Sequence, residues 1–326
     1  MAASTGVTAA KVARGAARTQ RRAFLLLILA NALWAGTYSA AKIALVYLSP
    51  VQLNALRLSL AALLLSPVLL RGWRRIPRDR RTLLALGSAV LLGWILNKLF
   101  EYFGLALSTA SDVALLISTE SLFTAMLSWL LLRERVTRMG IAALALGLAG
   151  AYLVVERGLA PHLGGSGAEG ARIAGDLLVV LSLLLEAGYT VRGKAALGAV
   201  SPLLFTSVTI TVSLAFWLPA GAMAVSQSGW PHLPLAGWLA VLYMAGIATA
   251  LAYWLWFRAL AVLDASAAAP TLFVQPLLGA ALAVWLVHDT LTWATVAGGA
   301  LIALSLLLVI RSARAAPAET LGEATP

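Results

Sequence analysis

From Ala23 to Arg311 the chain is a succession of apolar runs broken only by short polar segments. About 20 apolar residues, rising about 1.5 Å each as a helix, cross the hydrocarbon of a bilayer. Ten such runs can be laid down, at 23–46, 52–70, 83–107, 111–132, 139–156, 176–196, 202–225, 236–258, 265–287 and 293–311. With 61% hydrophobic and 11% charged residues and a mean hydropathy of +0.90, there is too little polar surface to coat a soluble globule. The expected fold class is therefore an all-α integral membrane protein with ten transmembrane helices.

The net charge of +11 does not point to nucleic acid, because the basic residues sit in short segments between apolar runs and form no patch interleaved with aromatics. They do report orientation, since short cytoplasmic segments carry the positive excess. With the N-terminus inside, nineteen Lys and Arg fall on the inner side, among them six Arg in 71–81, and only Arg157 and Arg172 fall outside. The expectation is a multi-pass protein of the cell (inner) membrane with both termini cytoplasmic. Residues 1–22 form a basic arm with Lys11, Arg14, Arg18, Arg21 and Arg22 and no acid. The apolar run after it exceeds the 7–15 residues of a secretory signal, so it reads as a retained first span, while a transit peptide stays open. The Gly-rich stretch 158–175 reads as an external linker, and 312–326 as a cytoplasmic tail. The chain has no cysteine, which excludes thiolate chemistry and Cys-ligated metal.

The chain also repeats itself. At an offset of 155 residues Ser111 meets Ser266 and Glu120 meets Gln275, with Arg133-Glu134 against His288-Asp289. At an offset of 152, Gly36 meets Gly188, Lys42 meets Lys194, and Ser49-Pro50 meets Ser201-Pro202. The two units are 23–157 and 176–311, five spans each. An odd number of spans makes the second unit enter the membrane from the opposite side, so the expected architecture is two inverted five-helix repeats. Such repeats characterise secondary transporters, with the substrate site near the midplane between them.

Five segments in order, LWAGTYSAAKIAL, SPVQLNALRLSLAALLL, STASDVALLISTESLFTAMLSWLLLRERVTRMG, GIATALAYWLWFRAL and LDASAAAPTLFVQPLLGAALAVWLVHDTLTWATVAGGALI, resemble the EamA type of the drug/metabolite transporter superfamily. The resemblance covers Phe24 to Ile310 and implies a ten-helix carrier of amino acids and other small metabolites, often working outward. Two positions depart from the family pattern: Ser121 stands where Pro is common, and His288-Asp289 where a Gly-Glu pair is common.

Ionisable groups inside spans are costly, about 2.5–3.5 kcal/mol each on insertion scales, and by default mark function. Glu120 lies nine residues into the fourth span and Glu186 ten into the sixth, about 13 and 15 Å deep by helical rise. Both reach the midplane, where each would bind a cationic group or exchange a proton, and both are the candidates for proton coupling; a hydrogen-bonded carboxyl joining two helices explains them equally. Glu101, with Lys98 at i−3 and Asn97 at i−4, reads as a gate or as a local ion pair. Arg57 and Lys42, near the outer ends of their spans, read as snorkelling or paired groups. Trp34, Tyr38, Tyr189, Tyr253 and Trp256 would give the path an aromatic lining. Gln275, beside Pro276, matches Glu120 in the second repeat.

The leading expectation is thus a carrier working by alternating access on a small-molecule substrate, for which the family resemblance suggests an amino acid. Membrane lipids are its other partner, and no cofactor or metal is expected. No Walker-type run supports ATP drive. A lipid or lipid-linked flippase on the same scaffold is the alternative. A membrane enzyme is disfavoured, because His162, His232 and His288 lie in external loops or ends with neither HExxH nor GxSxG.

Overall fold

A computed structural model describes residues 2–120, 123, 127, 138–156, 167–263, 271 and 274–315. Among these residues the secondary structure is entirely helical. The basic arm and first apolar run form α1 (Ala2–Ala35), which breaks at Gly36 and continues as α2 (Thr37–Leu45). A Cβ at Gly36 would lie 2.7 Å from Tyr243 Oη, so any larger residue there would have to displace that side chain. Helix α3 (Pro50–Gly72) starts on a capping box in which Ser49 and Gln52 satisfy each other's backbone N–H, with Pro50 in the first turn.

The third span begins where Asp79 caps α4 (Arg80–Ala89); its carboxyl accepts from Thr82 N at 2.9 Å, and hydrogen bonds from the Thr82 side chain and backbone hold it below the ordinary aspartate range. A wide π-helical segment, Val90–Leu96, leads into α5 (Asn97–Leu107). After α6 (Ala110–Leu116) a short 3₁₀ turn carries the chain to Glu120. Next come α7 (Arg138–Glu156), α8 (Gly167–Ala196) and α9 (Pro202–Ser228). Helix α10 (Leu235–Leu242) passes through a second π-helical segment, Tyr243–Leu251, into α11 (Ala252–Leu260). The last two helices are α12 (Val274–Val287) and α13 (Trp293–Ala315).

Among the described residues, six helical stretches are long and apolar enough to cross a membrane: Thr19–Leu45, Pro50–Arg75, Arg80–Leu107, Gly167–Lys194, Pro202–Ser228 and Leu235–Leu260. Shorter apolar helical stretches, Ala145–Val154 and Trp293–Ser305, fall on the expected fifth and tenth spans. Most of the expected fourth span beyond Glu120, including Ser121, the Arg133-Glu134 pair that follows it, and the first part of the ninth span lie outside the described residues. The outward faces carry large apolar side chains such as Leu63, Leu70, Val212 and Leu239, as lipid contact requires. Trp230, Trp238 and Trp293 are exposed, as aromatic anchors at a membrane interface are.

Helix α8 begins at Gly167, inside the stretch read as linker. Arg172 accounts for the extension: it reaches Glu169 at i−3 and Asp176 at i+4, both at 2.6 Å, and lies 3.5 Å from Asp112 of α6. Asp176 also accepts from Ser108 Oγ, and Asp289, just past α12, accepts from Ser111 N at 2.9 Å. An ionic cluster thus ties α6 to α8 and to the chain following α12. His288 has φ 56°, the left-handed conformation in which helices commonly end on glycine.

The principal packings pair α3 with α9, α5 with α8, α7 with α13, α1 with α11, and α6 with α12. Two contacts are backbone-close. A Cβ on Gly104 of α5 would lie 2.6 Å from Gly175 O of α8, and one on Gly150 of α7 would lie 2.6 Å from Gly298 O of α13. Each π segment shifts hydrogen bonds to i−5, as in Asn97 N to Leu92 O and Ala252 N to Ile247 O, and leaves carbonyls to be satisfied from outside the helix. An indole meets each one: Trp217 Nε1 donates to Trp94 O and Trp34 Nε1 to Ala248 O, both at 2.7 Å.

Candidate functional site

The break at Gly36 turns Trp34 and Tyr38 toward a common interior. The π segment Val90–Leu96 sets the register of α5 so that Asn97, Lys98, Glu101 and Tyr102 face it too. Helix α8 brings Leu183, Glu186 and Thr190 at i, i+3 and i+7, one helical face. The second π segment and α11 supply Ala248, Tyr253 and Trp256. Arg57 of α3, Glu120 after α6, and Gln275 of α12 complete the walls of one central cavity. Its volume, measured as room for the centres of water molecules, is about 50 Å³, enough for a few waters.

The cavity is ionic on one side and aromatic on the other. Lys98 Nζ sits 2.5 Å from Glu101 Oε2 and 3.7 Å from Glu186 Oε2, so the i, i+3 pair read from sequence also reaches across to α8. Tyr253 Oη donates to Glu186 Oε1 at 3.3 Å. The Arg57 guanidinium lies over the Tyr102 ring, 4.6 Å from its centroid; its Nε donates to Asn54 Oδ1 at 3.0 Å and its Nη1 to Thr249 Oγ1 at 3.4 Å. Trp34 meets Tyr253 edge-on at 4.9 Å and Trp256 at 5.5 Å between ring centroids. Gln275 Nε2 donates to Asn31 Oδ1 at 2.7 Å, and Asn31 Nδ2 donates in turn to Leu27 O and to Thr271 Oγ1, tying α12 to α1.

Of the residues singled out from sequence, Trp34, Tyr38, Asn97, Glu101, Glu120, Glu186, Tyr253, Trp256 and Gln275 line this cavity. Tyr189 does not. It packs beneath the cavity among Trp94, Phe205 and Phe257, over Gly93, where a Cβ would lie 2.4 Å from its ring, and Thr190 takes the cavity-facing position. Arg57, read as a snorkelling or paired group near an outer end, is 2% exposed in the cavity wall and does not snorkel. Thr37, Tyr102 and Thr190 also line it and were not anticipated. For Arg57 a signal existed: no acid stands within one turn of it on its own helix, so its charge needs a partner from elsewhere. Lys42 lies apart, with Tyr47, Ser108 and Asp289 around a second, more open cavity of about 380 Å³.

The EamA-like transporter family matches residues 21–156 and 173–311, nearly the whole chain in two copies. The chain belongs to this family. A relative from Archaeoglobus fulgidus, described as an uncharacterized transporter, is 28% identical over 279 residues, covering 84% of this chain and 92% of its own. The Bacillus subtilis uncharacterized transporter YvbV is 26% identical, covering 92% and 95% of the two chains. An uncharacterized protein of Pseudomonas aeruginosa is 30% identical over 80% of this chain and 84% of its own. A solved crystal structure superposes with a TM-score of 0.61 at 21% identity, over 90% of this chain and 97% of that one, and shares the fold. The EamA chain described here is accordingly a multi-pass membrane transporter, and its polar cavity lies among helices of both matched copies.

Proposed function

We propose that this transporter is a secondary carrier that moves a small solute, an amino acid or a related metabolite, outward across the cell membrane by alternating access of two inverted five-helix repeats. A buried cavity walled by both halves, with three carboxyls, two cations and an aromatic face, carries this reading. Exchange of the halves supports the inverted arrangement, because it maps the α1–α11 packing onto α8–α5 and leaves α3–α9, α6–α12 and α7–α13 paired with themselves. The two π segments also fall in corresponding spans, the third and the eighth.

Loading and release require the halves to part on one side of the cavity at a time. Glu120 and Glu186 are the groups assigned to proton exchange and to binding of the solute's cationic end. Flux of amino acids into proteoliposomes, with and without a pH gradient, tests the assignment. Glu120→Gln and Glu186→Gln are expected to lower flux at least ~10-fold, with the response to the gradient lost in the variant of the coupling residue. Wild-type flux in both variants would sink the assignment. Scrambling of labelled lipid without amino-acid flux would favour a flippase instead.

A further inference from the structure

Two buried atoms on the cavity wall, of opposite charge, lack hydrogen-bond partners among the described residues: Arg57 Nη2 and Glu186 Oε2. Every partner Arg57 has among the described residues is neutral. Asn54 takes Nε, Thr249 takes Nη1, the Tyr102 ring covers one face, and no carboxylate lies within ion-pair distance among the described residues. A guanidinium does not shed its proton in proteins, so its charge persists in the span and desolvation there is costly. On the other side, Lys98 is drawn to Glu101 at 2.5 Å and stays 3.7 Å from Glu186, an ion-pair distance but beyond a hydrogen bond.

We infer that Arg57 is the receptor for an anionic head on the transported solute, a carboxylate, while Glu186 Oε2 takes its ammonium group, so that the cavity selects solutes carrying both charges. The inference rests on the carrier reading above and adds the specificity-determining residue for the anionic end. A planar guanidinium fits a carboxylate oxygen with geometric precision that a point charge lacks, and Asn54, Thr249 and Tyr102 fix its plane before the solute arrives. An amine gives Nη2 no acceptor and a carboxamide gives it only a neutral oxygen, so both leave the buried charge of Arg57 uncompensated and are rejected. Trp34, Tyr253 and Trp256 would then take the apolar remainder.

The test uses the full-length protein in proteoliposomes. Uptake of the twenty proteinogenic amino acids is measured first, and the best-transported one serves as tracer against itself, its carboxamide and its decarboxylated amine as competitors. The wild type is expected to discriminate against the carboxamide and the amine by at least ~10-fold in half-inhibitory concentration. Arg57→Gln should narrow that ratio to within ~2-fold, and Arg57→Lys should restore part of it. Equal competition by acid and carboxamide in the wild type overturns the inference without recourse to any variant. A folded Arg57→Gln protein that keeps full discrimination also overturns it, leaving Arg57 a packing residue. Absence of uptake for every amino acid refutes the amino-acid reading of the carrier itself, an outcome distinct from uptake without discrimination.

Discussion

The Lys98–Glu101 pair was legible from a spacing of three on an otherwise apolar helix, and the structure places both groups nearly out of solvent. Its second link, to Glu186, was not legible, because it depends on α5 packing against α8. Removing one partner from a buried pair leaves the other charge stranded and costs about 3 kcal/mol or more. Lys98→Met is therefore expected to lower the thermal midpoint of the detergent-solubilised protein by several degrees, and Lys98→Met/Glu101→Gln to recover part of the loss. A double variant no more stable than the single one would mean that the pair contributes nothing. The place of Arg57 in the cavity was not legible for a related reason: its partners Thr249 and Tyr102 arrive from other helices, and only Asn54 at i−3 is local.

At the scale of elements, helix starts were the readable part. Ser49 with Gln52, and Asp79 with Thr82, are capping signals that set where α3 and α4 begin. The early start of α8 needed the Glu169–Arg172–Asp176 row, which composition alone disguised as linker because glycines surround it. The π segments left no mark in hydropathy, since an extra residue per turn does not alter the apolar character of a run. The departure at His288 from the family's glycine acquires a physical meaning, because that position has positive φ. Close helix contact makes a sharper prediction. Gly104→Ala forces a methyl to within 2.6 Å of Gly175 O and should cost about 2 kcal/mol, whereas Gly87→Ala meets nothing within 4 Å and should be neutral or gain up to about 1 kcal/mol. Thermal denaturation of the two variants side by side checks this, and equal midpoints would contradict the packing.

For the molecule as a whole, the duplication and the charge asymmetry were open to reading because each is written along the chain, one as a constant offset and the other as clustered arginines. The cavity was legible only as a set of residue types, since its walls come from seven separate stretches of helix that the sequence does not place side by side. Orientation remains open to direct measurement, and a chain free of cysteine is suited to it. Single substitutions Arg78→Cys, in the arginine-rich segment after α3, and His232→Cys, in the exposed segment after α9, fall on opposite sides if the termini are cytoplasmic. A membrane-impermeant maleimide should label His232→Cys in intact cells and Arg78→Cys only after permeabilisation. The reverse pattern would invert the topology.

The wide turn at Val90–Leu96 amounts to one residue more than the helix needs, absorbed just before the cluster of Asn97, Lys98 and Glu101. Wound as ordinary helix, the same residues would rotate everything beyond them by about 100°. The ions would then face the lipid or a neighbouring helix, with the composition of the span unchanged. Excising one residue from the segment should therefore be absorbed by loss of the wide turn and leave flux largely intact, whereas excising a second should swing the cluster away and abolish it. The phase of the helix, more than any one of its side chains, would then be what the wide turn preserves.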